Sequence, residues 1–190
     1  MVLPIFDSSN IKTGAMNRVS DTKLLLGDLD KLAPVVNMAD PLITITEAVP
    51  SSLAAILALL QAVNLPIEGV QEYLASFQVA KSGAGHIIGC VGLERHGQIG
   101  LLRSAAVHPD YQGGKIGTRL VFALLTKATQ EGITEVVLLT TSAQDFFAKT
   151  FGFKEAKRWR YNKVLQHSPE WNLPRCSSAV LIKLKLQRAK

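Results

Sequence analysis

The feature that most restricts what this chain can fold into is the passage from residue 105 to residue 120. Three small apolar residues, Ala105-Ala106-Val107, lead through His108-Pro109-Asp110-Tyr111 into Gln112-Gly113-Gly114-Lys115-Ile116-Gly117, and Thr118-Arg119-Leu120 then opens a segment with apolar positions at Leu120, Val121, Leu124, Leu125 and Ala128. This reads as a strand, a glycine-rich loop and an amphipathic helix closed by Gly132. Glycines at the start of a helix let backbone N–H groups approach a ligand without interference from Cβ atoms, at the positive end of the helix dipole, so the loop suits anionic oxygen. No Gly-Lys-Ser/Thr follows at P-loop spacing, and no Gly-x-Gly-x-x-Gly follows an early parallel strand, so the nucleoside-triphosphate and dinucleotide readings drop.

The surrounding pattern is that of an α/β protein with a mixed sheet and no internal repeat. The alternation in Ile43-Thr44-Ile45-Thr46 predicts a short strand, and Ser51 or Ser52 is placed to cap a helix carrying Leu53, Ile56, Leu57, Leu60 and Val63 up to Pro66. A shorter helix is expected over residues 69–76. Strands are expected at 77–81, 86–94 and 98–107, joined at Ser82-Gly83-Ala84-Gly85 and His96-Gly97, which gives an antiparallel meander. Val136-Val137-Leu138-Leu139 is a continuous apolar run, as in a central strand covered on both faces, so 105–107, the helix and this run form a strand, crossover helix and parallel strand. A helix over 143–150 and a last strand over 179–186, where Val180, Ile182, Leu184 and Leu186 alternate with other residues, complete the pattern.

One domain is expected from 190 residues, with residues 1–40 as an extension of unknown role and 41–190 as the folded unit. Leu24-Leu25-Leu26 and Val35-Val36 are the apolar points of that extension, which shows no sustained period. Cys90 and Cys176 lack the spacing of a zinc site or a redox pair, so buried free thiols and a cytoplasmic location are expected, with no metal. No apolar run is long enough to span a bilayer and no signal-peptide pattern opens the chain, so no membrane association is expected. The net charge of +6 gathers after residue 153, at Lys154, Lys157, Arg158, Arg160 and Lys163 and in the last residues. It reads as a solvated basic face, and the scarcity of interleaved aromatics there argues against nucleic acid.

The run from Ala105 to Leu120 resembles the acetyl-CoA signature of the GNAT acetyltransferases. In that family the core of the loop is Gln or Arg, two residues, Gly, one residue, then Gly or Ala. Gln112 and Gly117 match it, and Lys115 stands where the middle glycine usually sits. The resemblance implies the GNAT fold, a mixed central sheet with an antiparallel meander and a splayed parallel pair, flanked by helices. It further implies acetyl-CoA as co-substrate, its pantetheine arm along Ala105, Ala106 and Val107, and its pyrophosphate on Gln112, Gly113, Gly114, Lys115, Ile116, Gly117 and Thr118.

Leu102-Arg103-Ser104-Ala105-Ala106-Val107 and Leu138-Leu139-Thr140-Thr141, followed by Phe146-Phe147 and Phe151-Gly152-Phe153, are similar to N-acetylglutamate synthase domains. From about residue 43 to 186 the chain also resembles arsenic-resistance N-acetyltransferases. These likenesses imply acetylation of the amine of a small amino acid or toxic amino-acid analogue. An ordinary amino acid as acceptor, or a CoA-binding module without turnover, are the alternatives, and a homodimer is the candidate assembly.

Acetyl transfer needs a neutral amine, a route for its proton and a donor to the developing oxyanion. Arg103, a charge on an apolar strand, is a candidate clamp for a substrate carboxylate or oxyanion, with a structural salt bridge as the other reading. Ser104 is a candidate to orient the amine or thioester, or to satisfy a strand carbonyl, and Glu94 is a candidate general base or a surface carboxylate. Thr140 and Thr141 end a parallel strand, where open α/β sheets place ligands, and are candidate substrate contacts or caps of the next helix. Many GNAT enzymes carry a tyrosine that protonates the departing thiolate; Phe147 stands at that position here.

Overall fold

The computed structural model describes residues Leu24–Leu25 and 43–187. Their strands are β1 (Leu24–Leu25), β2 (Thr44–Glu47), β3 (Gln78–Lys81), β4 (Ile87–His96), β5 (Ile99–Val107), β6 (Glu135–Thr140), β7 (Lys154–Glu155) and β8 (Val180–Gln187). The helices are α1 (Leu53–Ala62), α2 (Ile116–Gln130), α3 (Gln144–Phe151) and α4 (Asn162–Leu165). All the strands join one mixed sheet in the order β1-β8-β6-β5-β4-β3-β2, with β7 on β8. The meander β2 to β5 is antiparallel, β5 and β6 are parallel, and β8 runs antiparallel to β6. The α/β mixed-sheet expectation therefore holds.

Local chemistry sets the element ends. Ser52 occupies the N-cap position of α1, but its hydroxyl accepts from Val49 N at 3.2 Å and makes no bond into the helix, closing the 3-10 turn before it instead. At the other end Leu65 N donates to Leu60 O and Asn64 N to Gln61 O, with Asn64 left-handed at φ 56°, the paired bonds of a Schellman stop. Gly132 ends α2 in the same way, through Ile133 N to Ala128 O and Gly132 N to Thr129 O.

The helix expected over 69–76 does not form. The segment is a run of turns ending in a single 3-10 turn, Leu74–Ser76, because Gly69 takes φ 77° at its start and the segment is held instead by contacts to the sheet. Of the 1–40 extension, Leu24–Leu25 form a short strand parallel to the end of β8, which the sequence did not signal. The rest of that extension, with Val35-Val36, lies outside the described residues.

The period-two alternation of the central strands separates two faces. Leu102, Ala105 and Val107 of β5 and Val136 and Leu138 of β6 face α2 and α3, where Leu120, Val121, Leu124, Leu125 and the rings of Phe147, Phe151 and Phe153 are buried against them. Each large side chain buried in this way stabilises the fold by about 1.5–3 kcal/mol. The opposite face carries two separate apolar clusters. Ile56, Leu60, Leu65, Val70 and Phe77 cover β3, β4 and the end of β5, while Tyr161, Leu165, Trp171 and Cys176 cover Leu101, Val137 and Leu139.

Candidate active site

The parallel pairing of β5 with β6 starts at Ile99↔Glu135 and ends at Leu102↔Leu138. Beyond that point β5 continues to Val107 and β6 to Thr140 without pairing, so the two strands diverge toward the glycine-rich loop. The divergence begins beside a bulge. Between Cys90↔Ala106 and Gly92↔Arg103, β5 has one residue more than β4, and Ser104 takes the left-handed conformation at φ 52°. Ala105, Ala106 and Val107, the expected pantetheine contacts, follow the bulge with small, buried side chains.

Past the end of β5, His108 N donates to Ile88 O, and Gln112 Nε2 folds back to donate to Val107 O at 3.1 Å, which closes the loop on the strand. Gly113 follows with φ 84° and open space where a Cβ would stand, and Lys115 is left-handed at φ 58° as the N-cap of α2. A lysine there forgoes the freedom a glycine would give and costs about 1–2 kcal/mol. The backbone N–H groups of Ile116, Gly117 and Thr118 open α2 ahead of its first bond, Arg119 N to Lys115 O. With the glycines before them, these amides stand at the positive end of a fifteen-residue helix, where anionic oxygen is favoured.

The structure brings Glu94, Arg103 and Ser104 together on the face opposite α2. Arg103 and Glu94 are both fully buried, and Arg103 Nη1 donates to Glu94 Oε1. Arg103 Nε donates to Ser104 Oγ at 3.1 Å and lies 3.1 Å from Oε2 of the buried Glu170, while Nη2 donates to the Glu68 carbonyl. Of the two readings of Arg103, the ion pair is the one realised: its nitrogens are engaged by the protein. Burial alone would raise the Glu94 carboxyl, but hydrogen bonds to His96 and Ser168 and the Arg103 charge hold it below its ordinary value. Its second oxygen lies 3.4 Å from His96 Nε2. Glu94 is thus neither the surface carboxylate considered from the sequence nor a carboxylate set beside the splay with a free oxygen. The Ser104 hydroxyl oxygen likewise accepts from Arg103 Nε.

Thr140 Oγ1 accepts from Ala143 N at 2.9 Å and Ser142 N at 3.3 Å, capping the turn that starts α3, and Thr141 is exposed next to it. Phe147 is fully buried among Phe146, Phe151 and Phe153 at ring distances of 5.2–6.1 Å, in the core cluster that also holds Ala105 and Val107. The Cys90 thiol, pushed up to about 12 by burial, donates to Ser104 O at 3.4 Å and stays protonated.

Sequence reasoning missed Glu170, Ser168, His96 and the Glu68 carbonyl. A buried arginine on a strand demands a carboxylate, and Glu94 was findable because it faces the same side one strand away. Glu170 lies in an irregular segment with no period to place it. A cavity of about 640 Å³ that includes His96, Gln98, Glu135 and Lys185 lies at the start of the β5–β6 pair, at the other end from the splay.

The Acetyltransferase (GNAT) family profile matches residues 59–153, half of the chain and the part holding the splay, the glycine-rich loop and α3. Among solved structures, N-acetylglutamate synthase from Neisseria gonorrhoeae, complexed with coenzyme A and L-arginine, superposes with a TM-score of 0.62 at 23% identity, over 77% of this chain and 34% of that one. The same enzyme complexed with coenzyme A and N-acetyl-glutamate gives 0.61 at 22% identity, over 77% and 35%. A Mycobacterium tuberculosis protein in complex with CoA gives 0.64 at 23% identity, over 76% and 99%. This chain spans about a third of the length of the synthase. At such identities the likeness is one of fold. A comparison with curated proteins found no match.

Proposed function

The chain belongs to the acetyltransferase (GNAT) family, and we propose that it moves the acetyl group of acetyl-CoA to the amine of a small amino acid or of a toxic amino-acid analogue, the chemistry of the arsenic-resistance N-acetyltransferases it resembles. The observation that carries the donor half is the glycine-rich loop with the first-turn amides of α2 behind it, where β5 and β6 have parted. In this reading Gln112, Gly113, Gly114, Lys115, Ile116, Gly117 and Thr118 hold the pyrophosphate, and the open edge of Ala105, Ala106 and Val107 pairs with the pantetheine arm. The thioester then lies beside the Ser104 bulge.

The neutral amine attacks the thioester carbonyl carbon. A C–N bond forms, the C–S bond breaks, and its electron pair leaves on sulfur. The ammonium proton passes to water, since Glu94 is occupied by Arg103 and His96 and a carboxylate with a lowered pKa is a weak base. The thiolate takes its proton from solvent, because Phe147 is buried and a phenyl ring has none to give. Catalysis then rests on positioning and on backbone donors.

An ordinary amino acid is the second reading, suggested by the likeness of residues 102–107 and 138–141 to N-acetylglutamate synthase domains. Free-thiol release from acetyl-CoA, measured over a panel of amino acids and of analogues bearing arsenic or phosphorus oxyanions, separates the two. Turnover confined to ordinary amino acids removes the resistance reading. Tight acetyl-CoA binding with no release leaves a CoA-binding module.

A further inference from the structure

Where the two apolar clusters on the face opposite α2 meet, the seam is filled by a charge. Arg103 points out of β5 between the cluster built on α1 and the one built on residues 161–179, and its guanidinium reaches both. Nη2 binds the Glu68 carbonyl in the segment after α1, and Nε faces Glu170 in the other. Gly69 shows how closely the two segments meet over it. A Cβ at that residue would stand 2.9 Å from Arg103 Nη1 and 2.9 Å from Pro169 Cγ, and its φ of 77° already demands glycine. The same guanidinium reaches back along β5 to Ser104, the left-handed residue of the bulge. Only a planar fork can hold these directions at once; a lysine ammonium is a single point.

α2, and with it the glycine-rich loop at its start, packs on the first face, and in the function proposed above the acceptor amine comes to the thioester from the second. That is the face on which these two segments stand. We propose that Arg103 is a positioning residue of the transfer: it joins the 66–71 segment, the 167–171 segment and the Ser104 bulge into one unit, so that the walls of the acceptor side close together and in register with the strand that presents the thioester. This rests on the acetyl transfer proposed above. It replaces a direct grip on the substrate by Arg103 with an indirect one, through the loops it holds.

The test uses the full chain with Arg103→Lys and the milder Glu170→Gln, in case the first fails to fold. Hydrogen exchange is followed in peptides covering 66–71, 103–107 and 167–171, alongside kcat and both KM values on any acceptor the wild type uses. Exchange should quicken in all three segments in each variant. In Arg103→Lys, kcat should fall on the order of 10²-fold, the scale of an ångström of misplacement, with KM for acetyl-CoA within about twofold because the glycine-rich loop offers backbone amides. Quickened exchange in one segment only, or a fall in kcat that merely tracks the unfolded fraction, overturns the proposal. If the wild type acetylates nothing, the functional reading fails, and the exchange data still decide whether Arg103 joins the segments.

Discussion

Arg103 of β5, paired in register with Gly92, reaches diagonally across the antiparallel ladder to Glu94 of β4, with no solvent-exposed side-chain surface on either, and shares its charge with the buried Glu170. Breaking such a pair on one side strands a buried charge. Arg103→Met or Glu94→Gln alone is expected to cost about 3–5 kcal/mol, and the double variant clearly less than the two losses added. Denaturant unfolding of the four proteins measures this, and simple additivity would show that the pair is not coupled.

The same carboxylate gives the fold an acid limit. Because its folded pKa is lowered, Glu94 contributes stability above the ordinary carboxylate pKa of about 4.3, and that contribution is lost as pH falls through the depressed folded value. The stability gap between wild type and Glu94→Gln should therefore be full near neutrality and narrow as the pH falls below the ordinary carboxylate range. A gap that widens on acidification contradicts the direction of the shift.

Lys115 at φ 58° holds a conformation natural to glycine. Lys115→Gly should raise stability by about 1 kcal/mol, while Lys115→Val should lower it, since a β-branched residue fits the left-handed region worse still. Calorimetric titration with CoA should change little in the glycine variant if the amides carry the phosphates. A large loss of affinity would assign the grip to the ammonium instead.

Both cysteines are buried, and burial raises both thiols, Cys90 to about 12. Iodoacetamide near pH 8 should label neither in the native protein and both after unfolding in urea. Prompt native labelling of Cys90 would mean that the seam on that face opens.

What the sequence made legible was what is local and periodic. Helical spacing located α1 and α2, the unbroken apolar run of residues 136–139 located β6, and the glycines before Ile116 located the loop that enters α2. Where periodicity was absent, reading failed. Gly69 starts a segment whose shape is dictated by Arg103, thirty-four residues later, and no window centred on it contains that arginine. Glu170 approaches the same guanidinium from an irregular stretch on the far side of the fold. Arg103 itself announced that something buried would meet it, but a lone charge on an apolar strand does not say whether its partner is substrate or protein, and here the protein supplies the partners. Phe147 was placed by likeness to a catalytic tyrosine, and the structure accounts for the phenyl ring by giving it a core of three other aromatic side chains.

The most direct measurement is acceptor-dependent release of CoA thiol from acetyl-CoA by the purified chain, with the acetylated product identified by mass spectrometry. The account predicts release with at least one small amino acid or oxyanion-bearing analogue, little release without an amine, and a large rise in KM for acetyl-CoA in Gly113→Val, whose left-handed backbone a β-branched residue strains. Firm acetyl-CoA binding with no release across the whole panel, or turnover undisturbed by Gly113→Val, would contradict it.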